Sequence, residues 1–244
     1  MRPKTVVTSN IVRLSSALDR ISERNSGEEG MVLLTGRTGE GKTTAATFVA
    51  AKTNALCIKA GAMWGTRKLI ERLSTGFGLE TFHRMDNMVE GIVEMLLTKP
   101  QPIFIDELDY IFARPRALDV IRDIYDEARV PIVLSGSDQI PPRLRSHPKH
   151  GRFARRVSQW ITFHGMTQAD SSKIIEEYAE CGIDKKLQQA LHRTSEGNAA
   201  ALKAGIHVVE LFAVANDLQE VTAKEWGRRP LPSPSSKGYA YGDS

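Results

Sequence analysis

Residues 33–48 read LLTGRTGEGKTTAATF, a run that passes from apolar residues through three glycines to a lysine and three threonines. The preceding residues, MVLL, make a continuous apolar stretch of the kind that a strand buried on both faces requires. The residues after Lys42 have the composition and spacing of a helix. Between them, Gly36-Arg37-Thr38-Gly39-Glu40-Gly41-Lys42-Thr43 satisfies G-x-x-x-x-G-K-[ST] in the strand-to-helix setting that this pattern needs. Glycines at these positions let successive backbone N–H groups turn around an anion, and the helix N-terminus adds its partial positive charge. Lys42 is placed to reach the β- and γ-phosphates of a nucleotide, and Thr43 to set its hydroxyl on Mg²⁺. The expected nucleotide contacts are therefore Gly36, Arg37, Thr38, Gly39, Glu40, Gly41, Lys42, Thr43 and Thr44, with ATP and Mg²⁺ as ligands.

A strand–loop–helix of this kind belongs in a parallel sheet, and the rest of the chain agrees. A helical period runs through SNIVRLSSALDRISERN, with Ser9 or Asn10 as cap. ALCIK, PIFIDELD, VPIVLSGS and VSQWITFHG read as further strands, separated by helices in TRKLIERLSTGFG, DNMVEGIVEMLLTK and ALDVIRDIYDEA. Alternating strands and helices predict an α/β fold with a parallel five-stranded sheet flanked by helices. After about Gly165 only helical periods remain, which predicts a small all-helical second unit. The expected divisions are an N-terminal helix over 1–29, an α/β nucleotide-binding core over 30–165, a helical lid over 166–226 and an unpacked, Pro/Ser/Gly-rich tail over 227–244.

With 244 residues, 41% hydrophobic and 25% charged, the chain has the material for one sizeable core and a smaller one. No apolar run approaches the length of a membrane span and the N-terminus lacks a secretory signal pattern, so a cytoplasmic protein without membrane contact is expected. Cys57 and Cys181 lie far apart, outside any metal-binding spacing, and Cys57 reads as strand packing. A net charge of +4 permits nucleic-acid binding without requiring it.

A carboxylate ending a buried strand is costly unless a cation waits for it, which points to Asp106 as the second Mg²⁺ residue. Glu107 leaves the strand end on the other side, where it can orient and deprotonate an attacking water. Asp109 reads as capping or solvating the next helix. Ligands sit at the carboxyl ends of parallel strands, so Ser135 or Ser137 would lie near the γ-phosphate, although serine also ends strands for local reasons. The run PPRLRSHPKHGRFARRVSQW carries Arg143, Arg145, Lys149, Arg152, Arg155 and Arg156 with no acidic residue. It reads either as a solvated face or as the source of an arginine presented to the ATP of a neighbouring subunit.

Phosphate loop, FIDE, polar strand end, arginines ahead of the last strand and helical unit, in this order, make the chain resemble AAA+ ATPases over about residues 5–226. TSNIVRLSSALDRI, DELDYI and IVLSGS resemble, within them, the DNA-transposition ATPases typified by the phage Mu B protein and TnsC, which are akin to origin-recognition ATPases. The resemblance implies Lys42, Thr43 and Asp106 as phosphate-loop and Walker B residues, Glu107 as the catalytic glutamate and Ser137 as sensor one. It implies Arg152 as the arginine finger, with Arg155 and Arg156 as alternatives. A departure lies in SEGNAAALKAG, where alanines stand in place of the sensor-two arginine and Lys203 is the nearest cation. The implied partners are duplex DNA, bound with little sequence preference by a helical filament or ring of subunits, and a transposase that receives it. Lys59, Trp64, Thr66, Arg67 and Lys68 are the implied DNA-contacting cluster; the alternative is that Trp64 is core and the basic residues a wet helix face. Competing readings are a loader or remodelling ATPase acting on a protein partner, and a P-loop kinase of small molecules. The adjacent Asp106–Glu107 pair and the helical lid argue against the kinase.

Overall fold

The computed structural model describes residues 5–25, 27–146 and 150–234. Its elements, in chain order, are α1 (Ser9–Ser22), β1 (Met31–Thr35), α2 (Lys42–Lys52), β2 (Leu56–Lys59), α3 (Thr66–Gly76), α4 (Met85–Thr98), β3 (Ile103–Asp106), α5 (Asp109–Phe112) and α6 (Pro115–Ala128). Then come β4 (Ile132–Gly136), α7 (Ile140–Ser146), α8 (Gly151–Ala154), β5 (Val157–Thr162), α9 (Gln168–Tyr178), β6 (Gly182–Ile183), α10 (Lys185–Ser195), α11 (Ala199–Ala215), β7 (Glu220–Val221) and α12 (Ala223–Trp226). They fall into two compact units. One comprises Ile11–Arg37 and Lys42–Phe163, the other Met1–Asn10, Thr38–Gly41 and His164–Ser244.

The larger unit is built on a parallel five-stranded sheet in the order β2-β3-β4-β1-β5. Because successive side chains on a strand point to opposite faces, continuous apolar strands feed two cores at once. On β1, Met31 and Leu33 join one core and Val32 and Leu34 the other; on β3, Ile103 and Ile105 part from Phe104 in the same way. The first core is covered by α3, α4 and α6 through residues such as Leu69, Leu73, Ile92 and Ile121. The second is covered by α1 and α2, where α2 offers the small residues Ala45, Ala46 and Ala50, which let a helix lie close to the sheet. Cys57, expected as strand packing, is exposed, because β2 is the edge strand.

The smaller unit packs α9, α10 and α11 around Ile174, Ile175, Leu191, Leu202 and Ile206. Its helices begin at built caps: Thr167 and Asp170 form a capping box for α9, Asp184 caps α10, and Thr222 with Glu225 caps α12. The expectation of helices alone is corrected here by a parallel pair of two-residue strands, β6 and β7. Strands that short have no period to read in the sequence. Leu231 and Pro232 also pack, Leu231 against this core, where an unpacked tail from 227 was expected; residues 235–244 lie outside the described residues. Among the described residues no helix is long and apolar enough to cross a membrane.

Candidate nucleotide site

The loop between β1 and α2 carries Gly39 and Gly41 at φ +86, a backbone region that side-chain-bearing residues rarely adopt. The chain is thereby turned sharply enough to bring Lys42 back over its own loop, and its ammonium donates to the carbonyls of Gly36 at 2.7 Å and Arg37 at 2.9 Å. Thr43, on the first turn of α2, donates its hydroxyl to Asp106 Oδ2 at 2.7 Å. Thr44 and Arg37 are exposed beside them.

Asp106 is buried at the carboxyl end of β3, although it is a carboxylate, and among the described residues the Thr43 side chain hydrogen-bonds to it. Two hard oxygen donors this close, one of them anionic, fit a small divalent cation such as Mg²⁺, which favours oxygen ligands and keeps several waters. The chain next turns through Glu107 at φ +56, an uncommon conformation for a glutamate. The half-exposed Glu107 carboxylate lies 3.6 Å from the ammonium of Lys59 at the end of β2. That pairing follows from the parallel register, in which Lys59 stands opposite Asp106.

Ser137, just past β4, is held by Asp109: its N–H donates to one carboxylate oxygen at 2.8 Å and its hydroxyl to the other. Asp109, expected to cap or solvate α5, is instead its first residue and makes no cap hydrogen bond; its carboxylate fixes the loop after the neighbouring strand. Ser135, two residues earlier, is buried and its hydroxyl has no hydrogen-bond partner among the described residues.

The arginines expected near the last strand separate into two kinds. Arg156 is committed to Asp126, with Nε and Nη2 at 2.6 and 2.9 Å from its two oxygens, and lies 3.5 Å from Glu29. Asp126 is held below the usual carboxylate range, chiefly by this hydrogen bonding. Arg152 and Arg155 are exposed. They precede β5, whose Val157 is in register with Met31 at the start of β1. The phosphate loop follows the other end of β1, roughly 13 Å away by strand length. Lys149 lies outside the described residues.

In the β2–α3 region, Trp64 is half-buried against the core below Arg72, and Arg67 bonds Glu71 and the carbonyls of Phe82 and His83. Lys68 pairs with Glu71 at 3.4 Å, and Thr66 opens α3. Lys203 stacks on Tyr178, its ammonium 4.6 Å from the ring centre.

Within the smaller unit, Asn198 caps α11, accepting from the N–H groups of Ala200 and Ala201, and donates its amide to the carbonyl of Thr38 at 2.9 Å. The N–H of Ala199 donates to the carbonyl of Gly39, also at 2.9 Å. Sequence reasoning missed Asn198 and the Asp109–Ser137 pair; a polar residue before a helix signals a cap and nothing more.

Comparison with known proteins bears on this arrangement. Residues 24–144 match the AAA domain family. No curated protein matches the sequence. Among solved structures, ORC2 of Aeropyrum pernix, in ADPNP–ADP complexes, is similar at a TM-score of 0.70 and 14% identity, over 91% of this chain and 68% of that one. CDC6p of Pyrobaculum aerophilum is similar at 0.67 and 17%, over 90% and 66%. ORC1 of A. pernix, in complex with DNA, is similar at 0.61 and 18%, over 91% and 64%. The chain thus spans about two thirds of the length of these archaeal structures. The phosphate loop and the five-stranded order are those of the P-loop AAA+ fold, and residues 24–144 carry the match to the AAA domain family.

Proposed function

We propose that this protein binds and hydrolyses ATP to ADP and phosphate, and uses that cycle to control its own assembly on duplex DNA. The observation that carries the nucleotide reading is the 2.7 Å bond between Thr43 and Asp106 beside the Lys42 loop. Lys42, Thr43 and Asp106 would hold nucleotide and Mg²⁺, and Mg²⁺ would neutralise charge on the β- and γ-phosphates. Lys42 exchanges its two loop carbonyls for phosphate oxygens. Glu107, released from Lys59, accepts a proton from the water that attacks the γ-phosphoryl group. Ser137, set by Asp109, is the polar group facing that water. Arg152 lies too far from its own loop along the strand direction to serve it. It therefore acts on the site of an adjacent subunit, where its charge offsets that of the transferred group.

A site completed only between subunits ties hydrolysis to assembly. DNA as the surface for assembly is supported by the likeness to ORC1, solved with DNA, and by the basic residues around β2 and α3. The finer reading, delivery of target DNA to a transposase by a filament or ring that hydrolysis dismantles, rests on the sequence resemblance. The fold likeness to ORC and CDC6 structures favours a second reading, a loader or remodelling ATPase acting on a protein partner.

Steady-state ATP turnover with and without nonspecific duplex DNA, over a salt series, tests the proposal. DNA-stimulated turnover that falls steeply with salt supports it, because phosphate contacts release counterions. Turnover indifferent to DNA at every salt concentration overturns the DNA part. A target-capture assay with a transposase separates the two finer readings.

A further inference from the structure

The tip of the phosphate loop, Thr38–Gly41, clusters with residues 164–244, so its bonds to α11 are internal to the smaller unit. Asn198 uses both ends of its side-chain amide at this spot. Its Oδ1 accepts from Ala200 and Ala201 at 3.0 Å each, and its Nδ2 donates to the Thr38 carbonyl at 2.9 Å. The next backbone N–H, of Ala199, takes the Gly39 carbonyl. The approach is so close that a Cβ on Gly39 would sit 2.4 Å from Asn198 Nδ2. Here a glycine is required for space as well as for its φ of +86.

Peptide units are planar and trans, so a carbonyl and the N–H that follows it point in opposite directions. Holding the carbonyls of Thr38 and Gly39 against α11 therefore aims the N–H groups of Gly39 and Glu40 away from it. Those are two of the donors that a phosphate loop needs turned toward an anion. A free glycine-rich loop would sample many orientations of these peptides and pay to order them on binding.

We propose that Asn198 is a positioning residue for nucleotide binding: it latches the loop tip by two carbonyls and so presets the peptide N–H groups that receive phosphate. This rests on the nucleotide reading above and goes beyond it. Asn198 does the work without a charge, in the segment where Ala199, Ala200 and Ala201 offer no cation.

Cap and latch can be separated by substitution. Asn198→Ser keeps a capping oxygen but lacks a donor that reaches Thr38, and Asn198→Asp keeps the cap while setting a carboxylate oxygen against the Thr38 carbonyl. The experiment is equilibrium binding of ATP and ADP, with kcat, KM and the ligand-free melting temperature, on wild type, both variants and Lys42→Ala. A melting temperature like wild type, a dissociation constant and KM raised three- to tenfold in Asn198→Ser and at least as much in Asn198→Asp, and a kcat within twofold are expected. Wild-type affinity in Asn198→Ser would overturn the latch while leaving the nucleotide reading intact. Wild-type protein that binds no nucleotide, or Lys42→Ala that binds it normally, would overturn the reading and the latch with it.

Discussion

Thr43 and Asp106, 63 positions apart in the chain, meet through a 2.7 Å hydrogen bond at the mouth of the sheet. The bond exists because α2 starts directly after the loop that leaves β1, while β3 lies two strands away across β4 and ends on its only carboxylate. A buried carboxylate is costly to keep charged without a cation beside it, and among the described residues the neutral Thr43 hydroxyl is what bonds it.

Asp106→Asn removes the charge and keeps the shape. Apparent Mg²⁺ affinity in ATP hydrolysis should fall by about 10- to 100-fold, with nucleotide still bound. The check is a Mg²⁺ titration of turnover beside equilibrium nucleotide binding. Unchanged Mg²⁺ dependence would remove Asp106 from the metal's surroundings.

Much of this site is legible in sequence because its parts are local. Gly36 to Thr43 is one contiguous motif, and Asp106 and Glu107 end an apolar run that can only be a buried strand. Strands β1, β3 and β4 announce themselves by apolar runs, whereas β6 and β7 are too short to do so. What stays hidden is pairing at a distance. Nothing in the sequence ties Lys59 to Glu107, Asp109 to Ser137, or Arg156 to Asp126, because each contact depends on strand order. Asn198 is hidden for a different reason: its cap is visible locally, and its second hydrogen bond is not.

Glu107→Gln should bind ATP and lose turnover by about 10²- to 10⁴-fold, the usual worth of a general base. Lys59 pairs with Glu107 through an ion pair with both side chains well exposed, at 61% and 38%. Such pairs are worth at most about 1 kcal/mol, so Lys59→Ala should raise DNA-free turnover by no more than about fivefold. Turnover of both variants with and without duplex DNA checks this. A DNA-free rate in Lys59→Ala far below wild type would mean that the lysine assists the chemistry.

Asp170 sets an acid limit on the smaller unit. Burial alone would raise its carboxyl, but hydrogen bonds from the N–H and hydroxyl of Ser9 and of Thr167 outweigh it and hold the pKa below its ordinary value. A group whose folded pKa is depressed contributes stability above its unfolded value of about 3.9. That stability is lost as pH falls from there through the lowered folded pKa. Asp170→Asn should cost about 2 kcal/mol at pH 7, and the difference from wild type should shrink as pH falls below about 3.9. Chemical denaturation at several pH values checks it; a difference independent of pH would assign the cost to packing alone.

The arginines before β5 divide by what they touch, and that division predicts opposite phenotypes. Arg156 bonds both oxygens of Asp126 and neighbours Glu29, so it ties α6 to the segment entering β1. With each partner about a third exposed, Arg156→Ala should cost about 1 kcal/mol, seen as a lower unfolding midpoint. Its subunits, once folded, should still complete a neighbour's site. Arg152 is exposed and lies at the sheet end away from its own loop, so Arg152→Ala should leave stability unchanged and abolish assembly-dependent turnover, by about 10³-fold or more if it acts as a finger. Mixing settles the direction of action. Arg152→Ala subunits retain an intact loop and Lys42→Ala subunits retain the arginine, so a mixture should recover turnover that neither shows alone. Recovery absent from that mixture but present with Arg155→Ala would move the finger to Arg152's neighbour in the next turn. Recovery in neither mixture would mean that neither Arg152 nor Arg155 acts between subunits.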